Sequence, residues 1–157
     1  MKSIEVGHAA PDFSVVASDG QTVTLSDFQG KQAVVLFFYP GDNTPICTLE
    51  ACSFRDAYED FTKLGAAVIA VSADSDETHR KFAAAKRLPY LMIADQKNAL
   101  RKLFGVPKLM YLFPGRTTFV IDREGVVRSK FNSQIFGSQH VTEALRTLRQ
   151  INSQPSP

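Results

Sequence analysis

The chain has 157 residues, of which 44% are hydrophobic, so it is long enough to form one domain with a well-buried core. Its net charge of +2, spread along the chain, is not the pattern of a protein that binds nucleic acid or an anionic membrane. No apolar run approaches the ~20 residues of a membrane span, and residues 1–10 lack the apolar segment of a signal peptide. We therefore expect a single domain over residues 1–157, in the reducing cytoplasm, with a flexible tail over 152–157.

The first half of the chain alternates between strands and helices. A Ser-Asp-Gly turn at 18–20 predicts a hairpin of two short strands. The continuous apolar run at 33–39 ends at Pro-Gly, which is typical of a central strand buried on both faces. The predicted elements are strands 13–17, 21–25 and 33–39, helix 45–64, strand 66–72, and helix 75–87 capped by Ser75.

The second half continues the alternation and closes with a hairpin and a helix. The predicted elements are strand 90–93, helix 98–104, strands 117–121 and 125–131, and helix 139–151. Alternating strands and helices predict parallel pairing, and the hairpin at 117–131 adds antiparallel strands. The fold class is therefore α/β, with a central mixed β-sheet flanked by helices and an N-terminal β-hairpin. The thioredoxin fold has this shape, and other α/β folds share it.

Cys47 is predicted to lie in the first turn of the helix that follows the central strand. Thr44 suits the N-cap and Pro45 the first helical position, so that Cys47 is the third helical residue. Unpaired backbone N–H groups and the positive end of the helix dipole favour a thiolate there. The carboxyl end of a central strand is also where α/β sheets bind ligands. We therefore expect Cys47 to be a reactive nucleophile.

Cys52 falls on a different face of the same predicted helix. Cys47 belongs to an apolar stripe, and Cys52 to a polar one that includes Thr48, Arg55 and Asp56. On an ideal helix the two Cα atoms lie about 8.7 Å apart and the side chains point roughly 140° apart. A disulfide needs a Cα separation of about 7 Å or less. The two cysteines can therefore pair only if this part of the helix unwinds.

Position and composition leave other interpretations of these residues open. Cys47 can be an ordinary core cysteine, and Cys52 an incidental surface thiol. A zinc site is disfavoured, because Cys-x4-Cys with no nearby histidine does not supply four ligands. The three histidines lie in separate segments and are expected to be ordinary surface or partly buried residues; they are His8, His79 and His140.

The segment around Cys47 resembles the active site of the peroxiredoxins. Their pattern is Pro-x3-Thr-x2-Cys, matched here by Pro40, Thr44 and Cys47. A second cysteine five residues on, in Cys-Thr-x-Glu-Ala-Cys-x-Phe-Arg-Asp, resembles the peroxiredoxin Q subfamily, also called bacterioferritin comigratory protein. Similarity runs from Val-Gly at 6–7 and Ala-Pro-Asp-Phe at 10–13 to Pro-Gly-Arg-Thr-Thr-Phe-Val-Ile-Asp at 114–122, and so covers nearly the whole chain. The Phe-Gly-Val-Pro-Lys segment at 104–108 is most similar to the plant and cyanobacterial branch.

The resemblance implies a thioredoxin-like fold and an atypical two-cysteine peroxidase. Cys47 would be the peroxidatic cysteine and Cys52 the resolving one, and they would form an intramolecular Cys47–Cys52 disulfide. Hydrogen peroxide and organic hydroperoxides would be the substrates, and thioredoxin or a similar dithiol the reductant. The resemblance also implies an antioxidant role and a monomer with no metal or organic cofactor. A processed plant form would reside in the chloroplast instead of the cytoplasm.

The resemblance also assigns roles around the two cysteines. Thr44 would hydrogen-bond the peroxide and the thiolate, Pro40 would shield the site from water, and Arg116 would hold the thiolate and the polarised O–O bond. Glu50 would help to orient the arginine. Without the resemblance, Arg116 is a solvated charge at a strand start and Glu50 a first-turn acid favoured by the helix dipole.

The substrate pocket and the class of activity are the last expectations. Phe38 and Tyr39, next to the site in sequence, are expected to line the substrate pocket and to permit apolar peroxides. A general thiol–disulfide oxidoreductase on the same fold stays an alternative, although it normally carries Cys-x-x-Cys. A redox-sensing binding module, in which helix melting signals to a partner, is the other alternative.

Overall fold

A mixed α/β arrangement is present in the computed structural model, which describes residues 4–39, 45–106, 108–109, 113–114, 117–132 and 137–153. In chain order the elements are β1 (Ser14–Val16), β2 (Thr22–Thr24), a 3-10 turn (Leu25–Phe28), β3 (Ala33–Phe38), α1 (Pro45–Asp56), α2 (Tyr58–Lys63), β4 (Ala66–Ser72), α3 (Asp76–Lys86), β5 (Leu91–Ala94), α4 (Ala99–Phe104), β6 (Lys108–Leu109), β7 (Phe113–Pro114), β8 (Thr117–Ile121), β9 (Val127–Asn132) and α5 (Gly137–Ser153).

Five of the strands form the central sheet, in the order β5-β4-β3-β8-β9. β4 pairs in parallel with β3 and β5, and its connections to them carry α1, α2 and α3. β8 pairs antiparallel with β3 and β9. β1 and β2 form a separate antiparallel hairpin, as do the two-residue strands β6 and β7. The predicted mixed sheet and the N-terminal hairpin are therefore confirmed.

β3 is the centre of the sheet and of the core. All six of its residues are buried, because strands lie on both sides of it and side chains cover both faces. Alternate residues point to opposite faces of a strand. Val35 and Phe37 face a cluster formed with α1, α2, α3 and α5, whereas Leu36 and Phe38 face one formed with the N-terminal hairpin and α4. The continuous apolar run predicted this double burial.

The predicted helix over 45–64 is interrupted. α1 ends at Asp56 and α2 begins at Tyr58, with Ala57 between them at φ −94° and ψ 3°. Ala57 is a good helix former, so no local signal predicts the interruption. Phe54 and Phe61, on either side of it, are fully buried and stack with a centroid distance of 5.6 Å. Tertiary packing therefore overrides local propensity at this point.

The C-terminal helix is longer than predicted. α5 runs to Ser153, and the Asn152 side chain donates a hydrogen bond of 2.9 Å to the Leu64 carbonyl. Residues 152 and 153 of the expected tail therefore belong to α5, and residues 154–157 lie outside the described residues. Among the helices of the described ranges, none is long and apolar enough to cross a membrane.

Candidate active site

Cys47 lies in the first turn of α1, after the end of the central strand. α1 begins at Pro45, which makes Cys47 its third residue, as predicted. A helix start leaves backbone N–H groups unpaired and carries the positive end of the helix dipole. The side chain of Cys47 lies outside what the structure describes, as do Pro40, Thr44 and Arg116 entirely. The roles of these four residues stay predictions.

Cys52 is a free, partly exposed thiol in the same helix. α1 is continuous from Cys47 to Cys52, so the ideal-helix separation of about 8.7 Å applies to their Cα atoms. Ala51 and Phe54 of the predicted apolar stripe are buried, whereas Cys52 is only half-buried. A disulfide between the two cysteines is therefore incompatible with this folded helix.

Arg55 lies close to Cys52 and anchors the end of α1. Its guanidinium donates to the Asp56 carboxylate at 3.0 Å and to the carbonyl of Lys86, the last residue of α3, at 2.8 Å. The pKa of Arg55 is raised from its usual value, chiefly by the hydrogen bond to Asp56 and to a smaller extent by negative charge on Cys52. The positive charge of Arg55 therefore lies close to Cys52.

Tyr90 holds the segment between the two cysteines. Its hydroxyl donates a hydrogen bond of 2.8 Å to the Ala51 carbonyl in α1. The ring is buried and meets Phe37 of β3 edge to face at 5.6 Å. The sequence pattern places Tyr90 in a strand and gives no sign of this contact, because a tyrosine at the start of a strand carries no signal of its partner. Unwinding of α1 between Cys47 and Cys52 would break this bond.

Glu50 is fully buried, although it lies only three residues after Cys47 in α1. An acid placed there for the helix dipole alone would be expected at the surface. Its carboxylate oxygen Oε2 lies 3.6 Å from Nδ1 of His140 on α5. Because α1 begins at Pro45, Glu50 is its sixth residue and lies beyond the first turn, so its interpretation as a first-turn acid is wrong.

His140 is fully buried as well, so its assignment as an ordinary surface or partly buried histidine is wrong. Its Nδ1 lies 2.7 Å from the Thr118 hydroxyl of β8. A signal was present in the sequence, because His140, Ala144 and Leu148 are spaced by four and share the buried face of α5. A histidine in such a stripe indicates a polar partner inside the protein.

The other two histidines differ from each other. His79 is fully buried, so the expectation of a surface or partly buried histidine is wrong for it too. Its Nε2 lies 3.3 Å from the Ser72 hydroxyl at the end of β4, and its ring lies 6.5 Å from that of Tyr39. His8 is exposed and accepts a hydrogen bond from the backbone N–H of Glu5.

Phe38 and Tyr39 are core side chains on opposite faces of the sheet. Phe38 is fully buried against Phe104 and Phe119, and Tyr39 belongs to the helix-covered cluster. The Arg101 guanidinium lies 5.7 Å from the centroid of the Phe38 ring. Burial lowers the pKa of Arg101 to about 10, and the charge of Asp95 partly opposes that change. A substrate-pocket role for the two aromatic residues stays a prediction.

A metal site has no support in the part of the chain that the structure describes. Within those ranges, no three His, Cys, Asp or Glu side chains are grouped so that they could hold an ion. The polar groups near α1 instead contact one another or the backbone.

Known proteins resemble this chain over most of its length. The AhpC/TSA family model matches residues 6–130. The chloroplastic peroxiredoxin Q of Populus jackii is 43% identical over 149 residues, which cover 94% of this chain and 70% of the relative.

Two solved structures show the same likeness. Peroxidoxin BcpB from Mycobacterium tuberculosis has a TM-score of 0.87 and 35% identity, and the match covers 96% of this chain and 99% of that one. The bacterioferritin comigratory protein of Xanthomonas campestris has a TM-score of 0.82 and 28% identity, and the match covers 94% of this chain and 97% of that one. That protein was studied for alkyl peroxide reduction in trapped intermediate and ligand complexes. These likenesses confirm the predicted thioredoxin-like fold class.

Proposed function

The chain belongs to the AhpC/TSA family, in its peroxiredoxin Q branch, and is a thiol-dependent peroxidase; on that premise we propose that Cys47 attacks the peroxide and that Cys52 resolves the product. The observation that carries the proposal is the placement of both cysteines in α1. One occupies the first turn, where a thiolate is favoured. The other lies further along the helix, half-buried and free.

The first step is attack of the Cys47 thiolate on one peroxide oxygen. The S–O bond forms as the O–O bond breaks, and the leaving oxygen takes a proton to become water or an alcohol. Sulfur is oxidised to sulfenic acid and the peroxide is reduced. Free N–H groups at the start of α1 support the charge that builds on the leaving oxygen, and we assign the same role to Thr44 and Arg116. Pro40 would keep water from the thiolate.

The second step is formation of the Cys47–Cys52 disulfide. The Cys52 thiolate attacks the sulfenic sulfur, the S–S bond forms as the S–O bond breaks, and the hydroxyl takes up the proton that Cys52 has released and leaves as water. Because the folded helix holds the two Cα atoms about 8.7 Å apart, α1 must unwind before this step. Unwinding would release the Ala51 carbonyl from Tyr90 and Glu50 from His140. The peroxidase cycle therefore includes local unfolding.

The third step is reduction of the disulfide by an external dithiol, for which we propose a thioredoxin-type protein. Thiol–disulfide exchange transfers the oxidation to the reductant and returns both cysteines to thiols. The study of alkyl peroxide reduction by the Xanthomonas campestris relative supports organic hydroperoxides as substrates beside hydrogen peroxide. The plant relative's chloroplastic location supports the chloroplast over the cytoplasm. We expect a monomer, on the family resemblance.

A coupled assay with thioredoxin, thioredoxin reductase and NADPH tests these roles. We expect Cys47→Ser to abolish peroxide consumption, and Cys52→Ser to react once with peroxide and then stop. Ser53→Ala, a small change beside Cys52, is the matched control and should keep wild-type turnover. Turnover by Cys47→Ser would refute the assigned nucleophile, and full turnover by Cys52→Ser would indicate a one-cysteine mechanism. Insulin reduction without peroxidase activity would favour the general oxidoreductase.

A further inference from the structure

A buried polar cluster joins α1 to the sheet and to the C-terminal helix. Its members are Glu50 on α1, Thr118 on β8 and His140 on α5, and each is at most 1% exposed. Nδ1 of His140 lies 2.7 Å from the Thr118 hydroxyl and 3.6 Å from Glu50 Oε2. The Phe131 ring on β9 and the imidazole meet edge to face, with their centroids 4.8 Å apart. One ring nitrogen therefore faces both the hydroxyl and the carboxylate.

The carboxylate decides which nitrogen of His140 carries hydrogen. A lone pair on Nδ1 would face the negative charge of Glu50 at 3.6 Å, and the two would repel each other. A hydrogen on Nδ1 instead points its positive end toward both Glu50 and Thr118. We therefore assign the hydrogen to Nδ1, since the hydrogen-bond partner sets the tautomer of an imidazole.

The position of Glu50 connects this cluster to Cys47. Residues three apart on a helix are neighbours, with about 5–6 Å between their Cβ atoms. A buried carboxylate so close to Cys47 opposes a second negative charge there, and burial strengthens the repulsion because the local dielectric constant is low. A thiolate at the third helical position therefore benefits from a group that offsets the charge of Glu50.

We propose that His140 is a positioning residue of the peroxidase site, which holds the Glu50 carboxylate against α5 and offsets its charge, so that the Cys47 thiolate forms beside it. This inference rests on the proposed role of Cys47 as the peroxide-reactive thiol. In the described part of the chain, Glu50 is the charged group of α1 that faces the imidazole, and β8 and β9 present Thr118 and Phe131 to it.

A pair of substitutions separates the polar role of His140 from its packing. Leucine and asparagine have the same branched shape beyond Cβ, but only asparagine has an N–H where Nδ1 lies. The variants are made in the Cys52→Ser background, where Cys47 reacts once. The rate of reaction with hydrogen peroxide is measured from pH 4 to 9, the range in which a perturbed thiol titrates.

We expect His140→Leu to move the midpoint of the pH–rate profile upward and to lower the rate below it by about tenfold, the effect of a one-unit shift. His140→Asn should keep the rate within about threefold of the parent, because it restores an N–H that faces Thr118 and Glu50. Thermal unfolding of both variants controls for packing, since a merely structural role would lower their stabilities without moving the pH profile.

The double-mutant cycle with Glu50→Gln decides the proposal. Whatever Glu50→Gln does by itself, adding His140→Leu to it should change the midpoint little, because no carboxylate charge remains to be offset. An equal shift in both backgrounds, or no shift in either, would overturn the role of His140. Peroxide reaction that survives Cys47→Ser would instead overturn the proposed function, so the two failures are distinguishable.

Discussion

Replacing Tyr90 with phenylalanine removes one hydroxyl and keeps the ring. That hydroxyl donates to the Ala51 carbonyl at 2.8 Å, inside the segment of α1 that separates the two cysteines. The ring contact with Phe37 remains in the variant. Because the bond exists only while α1 is folded, its loss should favour the unwound form, in which Cys52 can reach the Cys47 sulfenic acid.

The size of the effect follows from the net value of a buried hydrogen bond. Such a bond contributes about 0.5–1.5 kcal/mol, which corresponds to roughly 2–12-fold in the opening equilibrium at 25 °C. Local unfolding in a folded protein takes microseconds to seconds, and the sulfenic acid can condense only from the fraction in which α1 is unwound. We expect disulfide formation to accelerate by the same 2–12-fold, and the first reaction with peroxide to keep its rate.

A competition assay measures this acceleration. The sulfenic acid either forms the disulfide or reacts with a second peroxide to give sulfinic acid. Mass spectrometry of Cys47 over a series of peroxide concentrations gives the concentration at which half of the protein is over-oxidised. This value should rise 2–12-fold in Tyr90→Phe and stay unchanged in Tyr58→Phe, a half-buried tyrosine of α2. An unchanged value in Tyr90→Phe would show that its hydroxyl does not oppose opening.

Two further substitutions test the fold itself. Gly65→Ala should lower the free energy of unfolding by about 1–2 kcal/mol, because Gly65 has φ +73° and a Cβ would meet Arg123 Nη2 at 2.7 Å. In the control Gly30→Ala, φ is +81° with no atom within 4 Å, so a larger loss in denaturant titrations of Gly30→Ala would contradict a role for the Arg123 contact. Hydrogen bonding from Ser26 lowers the pKa of Asp12 below the usual 3.8, so ionised Asp12 stabilises the fold above that pH and the contribution is lost as the pH falls through the lowered value. The variant Asp12→Asn should lack this part of the acid dependence of stability, and an acid dependence equal to that of wild type would contradict it.

The elements whose formation depends on local pattern were predictable from the sequence. β3 was predictable because a continuous apolar run is typical of a strand covered on both faces, and all six of its residues are buried. The start of α3 was predictable because serine is a preferred N-cap residue. In the structure Ser75 does accept a hydrogen bond from the Thr78 N–H. The spacing of Cys47 and Cys52 in one helix also followed from the sequence, because helix geometry relates residues that are close in the chain.

The features that depend on contacts between distant residues were not predictable. Glu50, Thr118 and His140 come from three elements, and their contact is a product of strand order and helix packing. A histidine carries no signal of its partner, so burial of His140 could be suspected from its helical stripe but not its contact with Glu50. The interruption at Ala57 likewise arises from packing of the rings around it and has no sign in the local sequence.

The short length of α1 has a consequence for the timing of the cycle. α1 has 12 residues, is separated from α2 at Ala57, and packs on the sheet through Phe54, whose ring stacks on that of Phe37 at a centroid distance of 4.2 Å. Helix–coil relaxation takes about 0.1–1 µs even for a peptide of ~20 residues. Once a dithiol has reduced the Cys47–Cys52 disulfide of the proposed cycle, α1 can therefore re-form almost at once. The recovery time of the enzyme is then set by encounter and exchange with its reductant.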